Sequence, residues 1–244
     1  MNLIEEVRRK KQFAELPDSV VKRALDKSGN DVKGARSLLR KYFGVFLSNK
    51  VLKGVDESVL KSHLSSKNRD YDLVYSKIFE KVGLVGSIFD LGCGVNPLSY
   101  EFIRKYFGDV YYVGVEGVGQ LVDVGNDYFE EKGLDNLCYV LHEDLLDFDV
   151  GDFLKKMNKT RVVFMFQIVD ALEFFEKDFS KKFLLEVSRN SEFFVLSFAL
   201  KSLSGKKKFD VSRKWLLGFI EDNFEILEDF QNNNERFLIL KNKK

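Results

Sequence analysis

The sequence predicts an α/β fold: a mostly parallel, doubly wound sheet that ends in an antiparallel C-terminal hairpin and follows a small helical unit. From about residue 81, short apolar strands alternate with helices, which is typical of a parallel sheet covered on both faces. Two apolar segments near the C-terminus flank a polar turn at residues 231–234, which indicates a hairpin. Before residue 80, apolar residues recur at helical spacing. We therefore expect a helical domain at residues 1–80 and a sheet domain at residues 81–244.

The N-terminal third contains three segments with the spacing of amphipathic helices. The first begins near Leu3, the second follows Pro17 and the third follows Asp31. The sequence Ser-Gly-Asn-Asp at residues 28–31 can end the second helix and cap the third, because an aspartate at that position accepts hydrogen bonds from free backbone N–H groups.

The sheet domain contains five predicted parallel strands and a terminal hairpin. The strands are residues 88–91, 111–115, 138–141, 162–166 and 193–198, with helices between them that include residues 118–132 and 179–189. The hairpin joins residues 224–227 to residues 236–240. A dinucleotide-binding sheet would continue with parallel strands, so the hairpin favours the methyltransferase form of this architecture.

A glycine-rich turn joins the first strand to the next helix. Asp90 lies at the end of the strand, Gly92 and Gly94 follow with Cys93 between them, and Pro97 can open a helix. Glycines leave the backbone open to a ligand and tolerate positive φ, and proline suits the first helical position. Strand, turn and helix together predict a site for an adenosine-containing cofactor.

The acids at the strand ends, together with Pro97, distinguish a dinucleotide from S-adenosyl-L-methionine as the cofactor. The third glycine of a dinucleotide site is replaced by Pro97, which has no N–H for a phosphate, and Asp90 would repel a diphosphate. Asp90 suits the ammonium group of S-adenosyl-L-methionine, Glu116 can bind the ribose hydroxyls, and Asp144, beside Leu145, can receive the adenine amino group. The alternative is that these acids cap the helices that follow.

Composition limits the classes of function. Hydrophobic residues are 45% of the 244, which is enough for a substantial core, and 39 Lys and Arg against 38 Asp and Glu give a net charge of +1. Any RNA contact must therefore come from local basic clusters. Two cysteines are too few for a disulfide framework or a zinc site, so we expect no metal. We see no signal peptide and no apolar run that could span a bilayer, and we expect a cytoplasmic monomer without a membrane partner.

Three separated segments resemble the aminoglycoside-resistance 16S rRNA methyltransferases, the ArmA, Rmt and FmrO group. Residues 92–98, GCGVNPL, are similar to the GCGxNPL signature of that family. Residues 63–69, HLSSKNR, are similar to its HxSTRER segment, and residues 197–206, SFALKSLSGK, to its SFPTRSLGGR segment. The resemblance covers about residue 61 to the C-terminus. It implies a Rossmann-like S-adenosylmethionine-dependent methyltransferase that acts on N7 of a guanine in the decoding region of the small ribosomal subunit.

The resemblance also implies roles for single residues. His63 could contact the substrate, with a structural role as the alternative. Arg69 could grip the methionine carboxylate of the cofactor, with a surface ion pair to a nearby acid such as Asp72 as the alternative. Gln167 stands where the family has a lysine after the fourth strand, and we place it with the cofactor-binding residues. The basic residues predicted to contact rRNA phosphates, rather than only a solvated face, are Arg36, Arg40, Lys41, Lys201, Lys206, Lys207 and Lys208.

The expected chemistry needs no catalytic acid or base. Guanine N7 has a free lone pair and no proton, so alignment of nucleophile and methyl group is the main task of the enzyme. Two alternatives stay open: a methyltransferase that acts on another RNA, a protein or a small molecule, and a non-catalytic RNA-binding protein with a vestigial pocket. We expect removal of residues 1–53 to abolish RNA methylation and spare small-molecule turnover, while a cofactor titration tests the vestigial pocket.

Overall fold

The computed structural model describes residues 2–43, 51, 56–63, 66–200 and 213–243. The helices are α1 Leu3–Arg8, α2 Asp18–Lys27, α3 Val32–Tyr42, α4 Tyr71–Val82, α5 Tyr100–Phe107, α6 Gly119–Glu131, α7 Val150–Lys156, α8 Val169–Phe175, α9 Phe179–Asn190 and α10 Lys214–Asn223. The strands are β1 Ser87–Leu91, β2 Tyr111–Glu116, β3 Cys138–His142, β4 Arg161–Phe166, β5 Phe193–Ala199, β6 Phe224–Asn232 and β7 Glu235–Asn242. Short 3-10 helices cover Lys11–Phe13, Glu57–Lys61 and Asn96–Ser99.

One seven-stranded sheet forms the centre of the molecule, with the strand order β3-β2-β1-β4-β5-β7-β6. β1 pairs in parallel with β2 and β4, and the chain order reverses between them, so a crevice opens at the carboxyl end of β1. β7 is antiparallel to β5 and to β6, which confirms the predicted C-terminal hairpin and its antiparallel strand. The α/β class predicted from the sequence is therefore confirmed.

The sheet separates two hydrophobic cores. Because successive side chains of a strand point to opposite faces, Ile88 joins the first core and Phe89 joins the second. The first core contains apolar residues of α1 to α6, and the second contains those of α7, α9 and α10. In the part of the chain that the structure describes, no helix is long and apolar enough to cross a membrane.

The three N-terminal helices form as the periodicity predicts. The Asp31 side chain caps α3 by accepting from the backbone N–H groups of Lys33 and Gly34. Their apolar faces join the first core with residues of the sheet, so the helical unit and the sheet share one interior. The domain boundary predicted at residue 80 falls inside α4, and this helix packs against α5 and β6 of the sheet domain. The boundary itself stays a prediction.

Two local details differ from the sequence-based expectation. Pro97 lies in the 3-10 helix Asn96–Ser99, and the α-helix begins only at Tyr100. The polar turn of the hairpin is shorter than predicted because β6 continues to Asn232 and β7 begins at Glu235. Asn233 makes this tight turn with a φ of +54°, a conformation that asparagine adopts more readily than most residues.

Candidate functional site

A cavity lies at the carboxyl ends of β1, β2, β3 and β4, where open α/β sheets bind ligands. Seven of the residues predicted for the site line it: His63, Gly92, Gly94, Glu116, Asp144, Leu145 and Gln167. Three others, Arg69, Asp90 and Cys93, are not among the lining residues. Cys93 is buried under the turn, and its backbone N–H donates to the carbonyl of Val115 (3.1 Å).

The glycine turn needs its glycines for two reasons. Gly92 has a φ of +67° and Gly94 a φ of +54°, which is the left-handed region that side chains disfavour. A Cβ on Gly92 would also collide with the Ile168 side chain, whereas one on Gly94 would lie 3.8 Å from the ring of His63. The turn therefore brings bare backbone to the wall of the cavity.

Glu116 braces this turn from the end of β2. Its Oε2 accepts from the backbone N–H of Gly94 and its Oε1 from that of Val118, both at 2.9 Å. Burial raises the pKa of the Glu116 carboxyl, and the backbone hydrogen bonds oppose that rise. Gly117 also donates its backbone N–H to this carboxylate. A carboxylate has about four acceptor positions, so about one is left for a further donor such as a ribose hydroxyl.

Asp90 lies beneath the turn in a buried polar network and is only 1% exposed. Its Oδ2 accepts from the Asn96 amide and from the Tyr112 hydroxyl, both at 2.6 Å. Its Oδ1 has no hydrogen-bond partner among the described residues. Burial raises the pKa of Asp90 to about 6, although its two donors and the charge of Arg69 act in the opposite direction. In the described part of the chain, no cation forms an ion pair with this carboxylate.

Arg69 is not in a surface ion pair with Asp72; that alternative is wrong. Its guanidinium, 4% exposed, forms a bidentate pair with Glu235 at the start of β7, with Nε–Oε2 at 3.0 Å and Nη2–Oε1 at 2.8 Å. Its Nη1 donates to Asn96 Oδ1 (3.2 Å), while Asp72 pairs with Lys105. Glu235 thus occupies the planar guanidinium that was expected to bind a cofactor carboxylate, and the contact with the cofactor stays a prediction.

His63 lies beside the glycine turn, with its Nδ1 3.2 Å from the Ser66 hydroxyl. Burial, assisted by the nearby charge of Arg69, lowers the pKa of His63 to about 4. The ring is therefore neutral at neutral pH, so it can offer a hydrogen bond or an apolar face but not a positive charge.

Asp144 follows β3 and contacts the N-terminal helices. Its Oδ2 accepts from the Ser19 hydroxyl (2.7 Å) and pairs with the guanidinium of Arg23, both from α2. Its Oδ1 accepts from the backbone N–H of Leu146 (3.0 Å), a turn-capping bond of the kind weighed as the alternative for this acid. The carboxylate therefore has a structural role, and its contact with adenine stays a prediction.

The N-terminal helices form one whole wall of the cavity, which no sequence motif predicted. Val20 and Arg23 of α2 line it, together with Tyr42 and Phe43 at the end of α3. The aromatic pair that ends α3 is the only local signal, since no motif connects these helices with the sheet. Because this wall belongs to residues 1–53, removing that segment would open the cofactor cavity as well, and the truncation no longer separates RNA from small-molecule substrates.

The predicted RNA-binding residues fall into three groups. Arg36 is half-buried and donates to the backbone carbonyls of Val7 and Glu6 at the end of α1, so it fastens α3 to α1. Arg40 and Lys41 are exposed, and the Lys41 ammonium lies 5.6 Å from the centre of the Phe174 ring. The four remaining lysines, Lys201, Lys206, Lys207 and Lys208, lie outside the described residues.

Within the described ranges, no three His, Cys, Asp or Glu side chains are grouped to hold a metal ion. Gln167 directly follows β4 and has a φ of +60°; its backbone N–H donates to the Ser197 carbonyl of β5 (3.0 Å). For a residue other than glycine this conformation costs about 1–3 kcal/mol, and such residues cluster at functional sites.

Comparison of the sequence with known proteins gives one informative relative. No protein-family model matches the chain. A 16S rRNA (guanine(1405)-N(7))-methyltransferase from Proteus mirabilis is 24% identical over 187 residues, which cover 75% of this chain. The match spans 63% of the length of that relative, less than two thirds of it.

Solved structures share the fold at low sequence identity. The crystal structure of the 16S rRNA methyltransferase RmtF in complex with S-adenosyl-L-homocysteine superposes with a TM-score of 0.81 at 16% identity, covering 99% of this chain and 97% of that one. The structure of the 16S rRNA methylase ArmA superposes with a TM-score of 0.58 at 22% identity, covering 85% of this chain and 97% of that one. A SAM-dependent methyltransferase from Aquifex aeolicus gives 0.53 at 16% identity, with 78% and 96% covered.

These likenesses agree with the strand order and with the position of the cavity. The chain therefore has the Rossmann-like fold of the S-adenosylmethionine-dependent methyltransferases, and it is similar in sequence to a 16S rRNA methyltransferase, as its three motif segments indicated.

Proposed function

We propose that this chain is an S-adenosyl-L-methionine-dependent methyltransferase that modifies N7 of a guanine in the 16S rRNA of the small ribosomal subunit. The observation that carries the proposal is the convergence of the glycine turn, Glu116, Asp144 and Gln167 on one cavity at the switch point of the sheet. The similarity to a relative named for this reaction supports the choice of substrate. We place the reaction in the cytoplasm, where ribosomes are, and expect the chain to act as a monomer.

The groups around the cavity fit a cationic adenosine cofactor. Asp90 lies beneath the glycine turn, outside the lining of the cavity, and one of its buried carboxylate oxygens has no hydrogen-bond partner among the described residues; this oxygen suits an ammonium donor. Glu116 keeps acceptor capacity for a ribose hydroxyl, and apolar side chains such as Leu145 and Phe43 offer surfaces for the adenine ring. When bound, S-adenosyl-L-methionine supplies a methyl group that is activated by a positively charged sulfur.

A hydrogen-bond network below the glycine turn holds the Asp90 carboxylate in place. Arg69 donates to Asn96, and Asn96 donates to Asp90, so the buried pair with Glu235 fixes the orientation of the Asp90 carboxylate. We assign Arg69 a positioning role on this ground. Alignment of two reactants in this way can lower a barrier by about 7–11 kcal/mol.

The substrate side of the cavity needs no proton acceptor. His63 is neutral at pH 7 and lies against the turn, where its ring can contact the incoming base. Guanine N7 brings its own lone pair, so a neutral contact that orients the base is sufficient. A guanine within a folded rRNA helix must rotate out to reach the cavity, at a cost of a few kcal/mol that the RNA contacts have to offset.

The direct test is to incubate the protein with purified small ribosomal subunits and labelled cofactor, and then to map N7-methylguanine by borohydride–aniline strand scission. We expect a single cleavage in the decoding region. Glu116→Ala removes the brace of the glycine turn and is expected to abolish both cofactor binding and scission. Incubation with an unrelated RNA provides the control for non-specific methylation.

A second variant separates RNA recognition from cofactor binding. Arg40 is exposed on α3, so Arg40→Glu should lower rRNA methylation and leave the affinity for S-adenosyl-L-homocysteine unchanged. Label that enters protein or small molecules but never RNA would refute the proposed substrate. Expression in a drug-sensitive bacterium then tests whether the modification raises aminoglycoside tolerance.

A further inference from the structure

Arg23 of α2 connects the N-terminal helices with the adenine side of the cavity. Its Nη1 pairs with Asp144 Oδ2 and its Nη2 with Asp147 Oδ1, so one planar fork bridges two acids of the loop after β3. Ser19 lies one helical turn earlier and donates to the same oxygen of Asp144 (2.7 Å). Two side chains of one helix therefore fix the position of the loop.

These bonds leave Asp144 with capacity for a ligand. Oδ2 accepts from Ser19 and Arg23, and Oδ1 accepts from the backbone N–H of Leu146. With about four acceptor positions on a carboxylate, one position on Oδ1 is left for a further donor. Asp144 and Arg23 both line the cavity, so that donor can come from a bound molecule.

The same helical unit also holds the ribose side of the cavity. The backbone N–H of Gly119, at the start of α6, donates to the carbonyl of Glu15 (3.2 Å), and the Gln120 amide donates to the carbonyl of Lys11 (3.0 Å). Glu116 lies three residues before Gly119. Both loops that carry the expected nucleoside ligands are thus bonded to residues 11–23.

We propose that Arg23 is a positioning residue for the adenine end of the cofactor: by holding Asp144 it orients that carboxylate toward the adenine amino group, so the helical unit completes the cofactor site. The inference rests on the cofactor of the proposed function. It gives the N-terminal helices a role in nucleoside selection in addition to RNA binding.

The test compares two ligands that differ only at the amino group. Calorimetric titration of the full chain uses S-adenosyl-L-homocysteine and its 6-deamino analogue, in which hydrogen replaces the amino group of the purine. Hydrogen bonds to charged groups predict that the wild type binds the amino ligand about 10- to 100-fold more tightly. In Arg23→Gln we expect this ratio to fall to about threefold or less, because the acceptor is no longer oriented.

Three further variants make the test specific. Lys22→Gln removes one positive charge from the exposed side of the same helix and should keep the wild-type ratio. Arg23→Lys, which keeps the charge but not the fork, should give an intermediate ratio and covers the case in which the glutamine variant fails to fold. Asp144→Ala should bind the two ligands about equally. The double variant with Arg23→Gln should show the same affinity ratio as Asp144→Ala alone, since Arg23 acts through Asp144.

Equal weakening of both ligands in Arg23→Gln would overturn the inference, because a merely structural role predicts that result. An unchanged ratio would overturn it too. Discrimination that depends on Arg23 in a protein that methylates no RNA would sustain the inference and refute only the proposed substrate. Binding of neither ligand by the wild type would refute both.

Discussion

Replacing Asp90 with asparagine tests the buried carboxylate under the glycine turn. The amide oxygen can take the place of Oδ2 and keep the donors Asn96 and Tyr112, while the amide nitrogen replaces the oxygen that has no partner among the described residues. The change therefore removes the charge and preserves the shape. It should make the ligand-free protein less sensitive to pH and remove the anchor for the cofactor ammonium.

The magnitude follows from the pKa of Asp90, which burial raises from the ordinary 3.8 to about 6. Because a tenfold change in proton affinity corresponds to about 1.4 kcal/mol, these two values correspond to about 3 kcal/mol. Between them the folded state binds a proton that the unfolded state does not, so the contribution of Asp90 to stability decreases as the pH rises. About 2 kcal/mol of that loss falls between about pH 4.5 and 7.5.

The assay is urea unfolding of the wild type and Asp90→Asn at about pH 4.5, 6 and 7.5, without cofactor. Other titrating groups contribute equally to both proteins and cancel in the difference. The free energy of unfolding of the variant relative to the wild type should rise by about 2 kcal/mol across the range. Asp123→Asn, the same chemical change at an exposed position of α6, provides the control and should show no such trend.

The affinity for the cofactor should depend on pH in the opposite direction to the stability: it should increase as the pH rises. An ammonium beside Asp90 favours the ionised carboxylate, so wild-type affinity for S-adenosyl-L-homocysteine should fall as the pH drops below about 6. Asp90→Asn should bind weakly at every pH. A stability difference that does not change with pH, or a variant that binds the cofactor product normally, would refute the reasoning.

Three further predictions concern other residues of the site. Gly92→Ala puts a Cβ against Ile168 at a positive φ, so urea unfolding should show a loss of about 1–3 kcal/mol; unchanged stability would contradict this geometry. Glu235→Ala leaves the charge of Arg69 buried without its bidentate partner and should cost about 3–5 kcal/mol by the same measurement, whereas a loss of a few tenths would mean that the pair is dispensable. His63→Asn should slow methylation without weakening the binding of S-adenosyl-L-homocysteine; in the wild type, the rate at saturating cofactor should show no inflection near 6.5, the ordinary pKa of histidine, because that of His63 is about 4.

The fold and the centre of the candidate site could be predicted because their signals are local. Strand periodicity, the glycine turn and the acids at the strand ends each lie within a few neighbouring residues. In a parallel sheet the carboxyl ends of neighbouring strands meet at one edge, so Glu116 and Asp144 were expected beside Gly92 and Gly94, and all four line the cavity.

The contacts that complete the site could not be predicted in this way. Arg23 and Asp144 are 121 residues apart, and Arg69 and Glu235 are 166 apart, so neither pair has a spacing that a periodic pattern could reveal. Asp72 was the alternative partner predicted for Arg69 because it is near in sequence. The chain enters α4 at Asp70, however, and Asp72 pairs with Lys105 of α5 instead.

The sequence by itself determined the class of fold, the crevice at the end of β1 and the acids that surround it, because each depends on short segments whose conformation is set by their own side chains. Only the tertiary structure decided that α2 and α3 form a wall of the cavity and that Glu235 pairs with Arg69. These contacts depend on how buried surfaces from distant segments pack together. Many segments have similar hydrophobicity, so local sequence does not specify which of them pack against the same part of the sheet.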